Sequence, residues 1–159
     1  MAARRIERHP ISPIRTPKRT HLAARRAGEV ALGPPMPIVT ARDAADLLEP
    51  LFADRRREML VILHLDEAQC VIALDERPAA DGDTVDLPMR DIFHVALRHG
   101  AAGLVVAHNH PSGDPRPSRA DIEATRRLAE TAANLGIRLH DHLIFAGGEC
   151  RSFREMGLL

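Results

Sequence analysis

The chain has 159 residues, of which 45% are hydrophobic, and it contains no Trp or Tyr and only four Phe. This length suits one domain with an extension, whose core must be built from Leu, Val, Ile and Ala. No apolar run approaches the roughly 18 residues that a membrane-spanning helix needs. The first residues also lack the apolar centre of a secretory signal. The sequence therefore predicts a cytoplasmic protein that makes no membrane contact.

The formal net charge is zero, but the charges are unevenly distributed along the chain. Residues 1–30 hold eight Arg or Lys side chains against two Glu, a net charge of +6. Residues 1–38 contain six prolines, and their apolar residues follow no helical or strand period. We therefore predict a disordered basic tail over 1–38 and a folded domain over 39–159. The tail is either a solvated linker or an arm that contacts nucleic acid weakly through its charge.

The first half of the predicted domain combines one helix with an antiparallel hairpin. Thr40 is a suitable N-cap for a helix over about 41–56, in which leucines recur at helical spacing. Residues 59–65 and 70–74 predict two buried strands joined by a polar turn. The polar stretch 75–86 predicts a loop or an irregular edge strand.

In the second half of the domain, predicted helices and strands alternate, which favours a mixed α/β sheet flanked by helices. The longest predicted helix of this half ends at Gly136, a typical stop signal. The predicted elements are a helix over 88–99, a strand over 103–107, a helix over 118–135, a strand over 137–145 and a short strand over 149–153.

The stretch from His108 to Asp121 carries the chemistry. His108 and His110 directly follow the apolar strand 103–107, and alternate residues of a strand point to the same side. Two imidazoles that face one point are a ligand pair that zinc prefers. The chain then turns through a proline-rich loop before the next helix.

Ser118 and Asp121 open that helix. Ser118 has the pattern of an N-cap, and Asp121 lies in the first turn, where the helix dipole favours an ionised carboxylate. Ser-x-x-Asp is also an ordinary capping pattern. With His108 and His110, Asp121 would make three protein ligands and leave one position open, as in catalytic zinc sites. We therefore predict one Zn²⁺ per chain.

The motif in this stretch resembles that of the RadC family, a bacterial branch of the JAMM (MPN+, JAB) metallopeptidase-like domains. The residues that carry the resemblance are His108-Asn109-His110-Pro111-Ser112-Gly113-Asp114, then Pro117-Ser118 and Asp121. The resemblance covers roughly residues 58–159 and includes Thr125 and Asp141-His142. It implies the JAMM fold, a mixed α/β sheet flanked by helices that is related to cytidine deaminases.

The resemblance also implies zinc-dependent hydrolysis of a peptide or isopeptide bond in an unknown protein or peptide substrate. The family's motif serine, matched by Ser118, steadies the oxyanion, and its general base is a glutamate on an early strand. Glu76, near the end of the second predicted strand, is our prediction, with Asp75 as the alternative and Glu67 a poorer candidate. A base that acts through one water should lie roughly 4–5 Å from the metal.

Asp141 and His142 match an Asp-His pair of the family, which suggests that they support the metal ligands through hydrogen bonds. The alternative is an ordinary polar pair on a strand. For the whole chain, two other functions remain open. One is a catalytically silent JAMM scaffold that binds metal, and the other is a DNA-repair-associated protein, as the RadC family has been labelled.

Overall fold

The computed structural model describes residues 37–78 and 87–159. Residues 1–36 and 79–86 lie outside the described part, so the predicted disorder of the tail and its predicted contact with nucleic acid remain predictions. The structure places the end of that predicted tail on the domain. Ile38 is only 4% exposed and donates its backbone N–H to the carbonyl of another residue at 2.9 Å.

In the second half of the domain, over residues 89–146, helices and strands alternate as predicted. The elements are α1 (Ala41–Phe52), β1 (Met59–Leu65), β2 (Val71–Pro78), α2 (Met89–Arg98), β3 (Gly103–Asn109), α3 (Arg119–Asn134), β4 (Arg138–Ala146) and β5 (Glu149–Ser152). Two strands are longer than predicted, because β2 extends to Pro78 and β3 continues through the first metal-loop residues to Asn109.

The five strands form one mixed sheet in the order β2-β1-β3-β4-β5. Strands β3 and β4 are parallel, and α3 makes the crossover between them, whereas the other neighbours are antiparallel. Because β1 and β3 are antiparallel, the start of β1 lies beside the end of β3. This confirms the predicted mixed sheet with flanking helices and brings the segment before β1 to the His-x-His motif.

The core has two parts, one on each face of the sheet. Helix α1 covers one face with Leu48 and Phe52, which pack against alternate residues of β1 and β3 such as Val61 and Ala107. Helices α2 and α3 cover the other face, whose buried residues include Leu60, Ile62, Ile92, Leu104, Val106 and Leu128. Away from the register irregularities at His64/Leu65 and Leu104/Val105, the facing of a strand residue therefore follows from its position in the register.

Within residues 37–78 and 87–159, no helix has the length and apolar character needed to cross a membrane.

Candidate metal centre

The two histidines of the motif lie at the end of β3 with their rings close together. His108 is the sixth residue of the strand and pairs with Leu60, which places its ring on the α2/α3 face. His110 follows the strand, and its N–H donates to the Phe145 carbonyl at 2.9 Å, so the β3–β4 ladder continues through it. The two Nε2 atoms are 2.9 Å apart. The side chains of His108 and His110 therefore approach one another, as their spacing along the strand predicted.

Asp121 approaches both rings from the first turn of α3. A capping box holds it, since the Ser118 N–H donates to Oδ2 at 2.7 Å and the Asp121 N–H donates to Ser118 Oγ at 3.0 Å. Oδ1 lies 3.4 Å from Nε2 of His108, and Oδ2 lies 3.4 Å from Nε2 of His110. The side chain is 1% exposed, yet Oδ1 has no hydrogen-bond partner within the described part of the chain. A buried carboxylate oxygen without a donor fits a site for a cation.

The protonation of these three groups follows from their surroundings. Burial lowers the pKa of His108 to about 4, so its ring is neutral at pH 7. The hydrogen bond with Asp121 raises the pKa of His110, against the effect of burial. Burial opposes the charged form of Asp121, but His110, His108 and the hydrogen bonds of Ser118 outweigh it and hold the pKa of Asp121 well below its usual value. The site therefore keeps one ionised carboxylate, the state that binds metal.

A fourth group, Glu58, joins the histidines from the residue before β1. One ligand atom each from Glu58, His108 and His110 lies within 4.8 Å of the other two. The topology explains this, because Glu58 directly precedes β1 and His110 directly follows β3, and the start of β1 lies beside the end of β3. Sequence reasoning missed Glu58, which is half-buried.

Asn109, between the two histidines, holds the strand start that carries Glu58. Its side-chain Oδ1 accepts the Met59 N–H at 2.8 Å, and its Nδ2 donates to the Arg57 carbonyl at 3.1 Å. These bonds clamp the residues on either side of Glu58. Asn109 is only 4% exposed, so both hydrogen bonds are shielded from water.

The structure does not bring Glu76, the predicted base, to the histidines. Glu76 pairs with Val61, which in turn pairs with Ala107, so its side chain is on the α1 face while His108 faces the other way. Its carboxylate lies 3.6 Å from the Arg55 guanidinium.

The two alternative carboxylates are also engaged or distant. Asp75 shares the face of His108, but its carboxylate binds Arg77 at 3.0 Å, and Arg77 also binds Asp91 at 2.8 Å. Glu67 is exposed in the turn after β1, at the opposite end of that strand from Glu58. Among the acidic residues considered at the sequence level, Asp121 is therefore the one at the histidines.

The predicted pair on β4 divides into two roles. His142 contacts a metal-site residue directly, because its Nε2 lies 2.8 Å from Nδ1 of His108. Asp141 instead ties β4 to the C-terminal segment by accepting hydrogen bonds from Ser152 Oγ at 2.5 Å and from the Arg154 N–H at 3.1 Å. Burial raises the pKa of Asp141, which those hydrogen bonds oppose.

Two clefts flank the segment His110–Pro111. The cleft on the metal side has a volume of about 700 Å³ and is lined by Glu58, Ser118 and Asp121, among others. The second, of about 390 Å³, lies towards Phe52 and Phe145, whose rings stack at 4.6 Å. Glu58, His110 and Asp121 thus line the first cleft, whereas His108 lies behind them and is fully buried.

Comparisons with known proteins identify the family of this domain. A family model described as a RadC-like JAB domain matches residues 38–158. Two similar curated relatives are each named UPF0758 protein. The one from Salinibacter ruber (strain DSM 13855 / M31) is 37% identical over 126 residues, which is 78% of this chain and 53% of the relative. The one from Rhodobacter capsulatus is 40% identical over 114 residues, which is 72% of this chain and 53% of the relative.

The chain spans about half the length of the curated relatives it matches. The family match, in contrast, covers nearly all the described residues, including the sheet, α3 and the His-x-His segment. Fold, site and family match thus coincide in one region, and the chain belongs to the RadC family of JAB-domain proteins.

Proposed function

We propose that this domain is a zinc-dependent hydrolase of peptide or isopeptide bonds. The observation that carries the proposal is the convergence of two imidazoles and two carboxylates, three of which (Glu58, His110 and Asp121) line an open cleft. His108, His110 and Asp121 would hold the zinc. The unpartnered Oδ1 of Asp121 and the turn of both Nε2 atoms towards that carboxylate fit this group, because a buried acceptor without a donor suits a cation.

The two carboxylates would have different tasks. Asp121 is buried, ionised and fixed by its capping box, as a ligand needs to be. Glu58 is half-buried and lines the cleft, where substrate and water have access. Bound by two histidines and one aspartate, zinc supplies Lewis-acid activation of a water and of the substrate carbonyl. Glu58 replaces Glu76 as the proposed general base.

Glu58 would take the proton from the attacking water and return it to the leaving amine. Ser118 lines the same cleft, and its hydroxyl, which accepts the Asp121 N–H, can also donate to the carbonyl oxygen that becomes negative. In this proposal Ser118 caps α3 and also steadies the oxyanion.

A matched pair of variants tests the proposal. The full chain, loaded with zinc, would be incubated with a proteome-derived peptide mixture, and cleavage would be followed by mass spectrometry. We expect Glu58→Gln to retain zinc and to abolish cleavage, because the amide cannot accept the proton. Glu76→Gln, the same change on the opposite face, should cleave as the original protein does.

Two results would overturn the proposal. Cleavage by Glu58→Gln at the original rate would remove Glu58 as the base. A protein that binds zinc but cleaves no peptide would favour the silent scaffold. DNA association through the tail is the alternative that a separate binding measurement with the full chain would detect.

A further inference from the structure

Beneath the metal centre, a buried row of hydrogen bonds connects helix α3 to the first metal-site histidine. Thr125 Oγ lies 2.6 Å from the Asp121 carbonyl and 2.6 Å from Nδ1 of His142. On the other side of that ring, Nε2 of His142 lies 2.8 Å from Nδ1 of His108. Thr125 is 1% exposed and the two histidines are fully buried.

The hydrogens in this row can point in one direction only. The Asp121 carbonyl can only accept, so Thr125 must donate its single hydroxyl hydrogen there. The Thr125 oxygen can then only accept from His142, so the hydrogen of the neutral His142 ring lies on Nδ1. Its Nε2 has no hydrogen, and the contact with His108 must be made by a hydrogen on Nδ1 of His108.

The consequence appears at the metal site. A neutral His108 with its hydrogen on Nδ1 presents the lone pair of Nε2, the atom that faces Asp121 and His110. His110 is set in the same way, because its Nδ1 lies 2.8 Å from the Asp114 carbonyl, which can only accept. Both rings therefore present Nε2 as the ligand atom.

The opposite direction fails on two counts. If Thr125 donated to His142, two oxygens without a hydrogen between them would face each other at 2.6 Å. If His142 carried hydrogens on both nitrogens, it would be a cation with no exposed surface, held between the Thr125 oxygen and a ring nitrogen of His108. Its other neighbour is the ring of Phe153, which stacks on it at 4.6 Å and offers no counter-charge.

We propose that Thr125 and His142 are positioning residues that fix the tautomer of His108 and so prepare the site for a metal. The row begins at the backbone carbonyl of Asp121 and ends at the ring of His108, so it also ties two of the proposed ligands together. Partners of this kind change metal affinity by roughly 10–100-fold when they are lost. The naming of zinc rests on the proposed function, but the tautomer does not.

The first measurement uses the unaltered full chain without metal. Nitrogen-15 NMR of histidine rings distinguishes a nitrogen with a hydrogen from one with a lone pair. We expect hydrogens on Nδ1 of both His108 and His142. A hydrogen on Nε2 of His108 would overturn the inference, whether or not the protein binds zinc or cleaves peptides.

Variants of Thr125 then test its effect on zinc binding. Thr125→Val has a similar shape but neither donates nor accepts, so zinc should bind roughly 10–100-fold more weakly. Thr125→Ser restores the hydroxyl and should recover the affinity. Thr131→Val is the matched control, because Thr131 makes the same backbone bond, to the Arg127 carbonyl at 2.8 Å, on an exposed part of α3.

Unchanged zinc affinity and an unchanged His108 tautomer in Thr125→Val would overturn the positioning role. Equal losses in Thr125→Val and Thr131→Val would also overturn it, because the cause would then be the helix and not the row. A protein in which Thr125→Val unfolds is still decided by Thr125→Ser, which must match the original in tautomer and affinity.

Discussion

Two buried histidines on the same face of the sheet have opposite surroundings. His64 lies on β1 and pairs with Leu104, and His108 lies four residues further along β3. Both are fully buried, and burial lowers the pKa of each to about 4. Neither ring nitrogen of His64 has a hydrogen-bond partner in the described part of the chain, whereas both nitrogens of His108 have one.

Burial and a lowered pKa are common to both histidines, so they do not distinguish the ring that belongs to the proposed metal site. His64 lies near the end of β1, where the charge of Asp75 favours its protonation and those of His99 and Arg77 oppose it. His108 lies where β3 ends, and its ring touches groups from α3, β4 and the metal loop. The ligand atoms of a site need fixed partners, and His108 has them.

The largest expected effect is at the end of β3, where the ring of His108 contacts groups from α3, β4 and the loop. Asp121→Asn keeps an oxygen that can accept the Ser118 N–H but removes the charge from between the two histidines. We expect zinc affinity to fall by more than the roughly 100-fold that loss of a supporting partner costs. Isothermal titration with zinc measures this. Glu123→Gln, an exposed neutralisation on the same helix, is the control and should bind zinc as the original does.

Zinc bound at full affinity by Asp121→Asn would remove Asp121 from the ligand set and leave Glu58 as the third ligand. Such a result would also mean that the contact with Asp121 is not what distinguishes His108 from His64.

The next effect concerns His64. Its pKa is lowered from 6.5 to about 4 in the folded protein, so the unfolded chain binds the proton more readily. Protonation of His64 therefore does not affect the free energy of unfolding above pH 6.5. As the pH falls from 6.5 towards 4, it favours the unfolded chain, and the protein loses stability. Since one pKa unit corresponds to about 1.4 kcal/mol, this loss is about 3 kcal/mol. His64→Leu should lack it.

Urea unfolding at pH 7 and at pH 4.5 tests this difference. His64→Leu should be as stable as the original protein or more stable at pH 7, since it removes two unpaired polar atoms. It should gain further on the original at pH 4.5, while His108 and His142 titrate equally in both proteins. His94→Gln, at an exposed histidine of α2, should change neither value, and equal pH dependence of all three proteins would contradict the argument.

The elements and the proximity of His108, His110 and Asp121 could be predicted from the sequence because both rest on local patterns. Apolar alternation, the N-caps Thr40 and Ser118 and the stop at Gly136 are all readable within one or two turns of chain. His108 and His110 belong to one strand end, so their proximity also follows from spacing alone.

The rest of the site depends on which strands are neighbours. Glu58 is near the histidines only because β1 runs antiparallel beside β3, and the spatial order of strands is not written in local periodicity. A carboxylate directly before an apolar strand was the available signal. Glu76 failed to reach the histidines for a related reason, since one register step turns a side chain to the other face. At the sequence level Thr125 appeared within the family resemblance, with no role assigned to it.

The last prediction concerns Asn109, which follows His108 at the end of β3 and bonds to the residues on either side of Glu58. Asn109→Ala leaves the buried Met59 N–H and Arg57 carbonyl without partners, so the free energy of unfolding should fall by about 1–3 kcal/mol. Zinc affinity should change far less than in Asp121→Asn, because the Asn109 side chain bonds to the strand before β1 and to none of the ligands. Asn134→Ala, at an exposed helix position, is the control. Denaturant unfolding and zinc titration of the same samples separate the two quantities. A loss of zinc affinity as large as that of Asp121→Asn would show that the clamp on Glu58 also determines the geometry of the ligands, and the two tasks would no longer be separate.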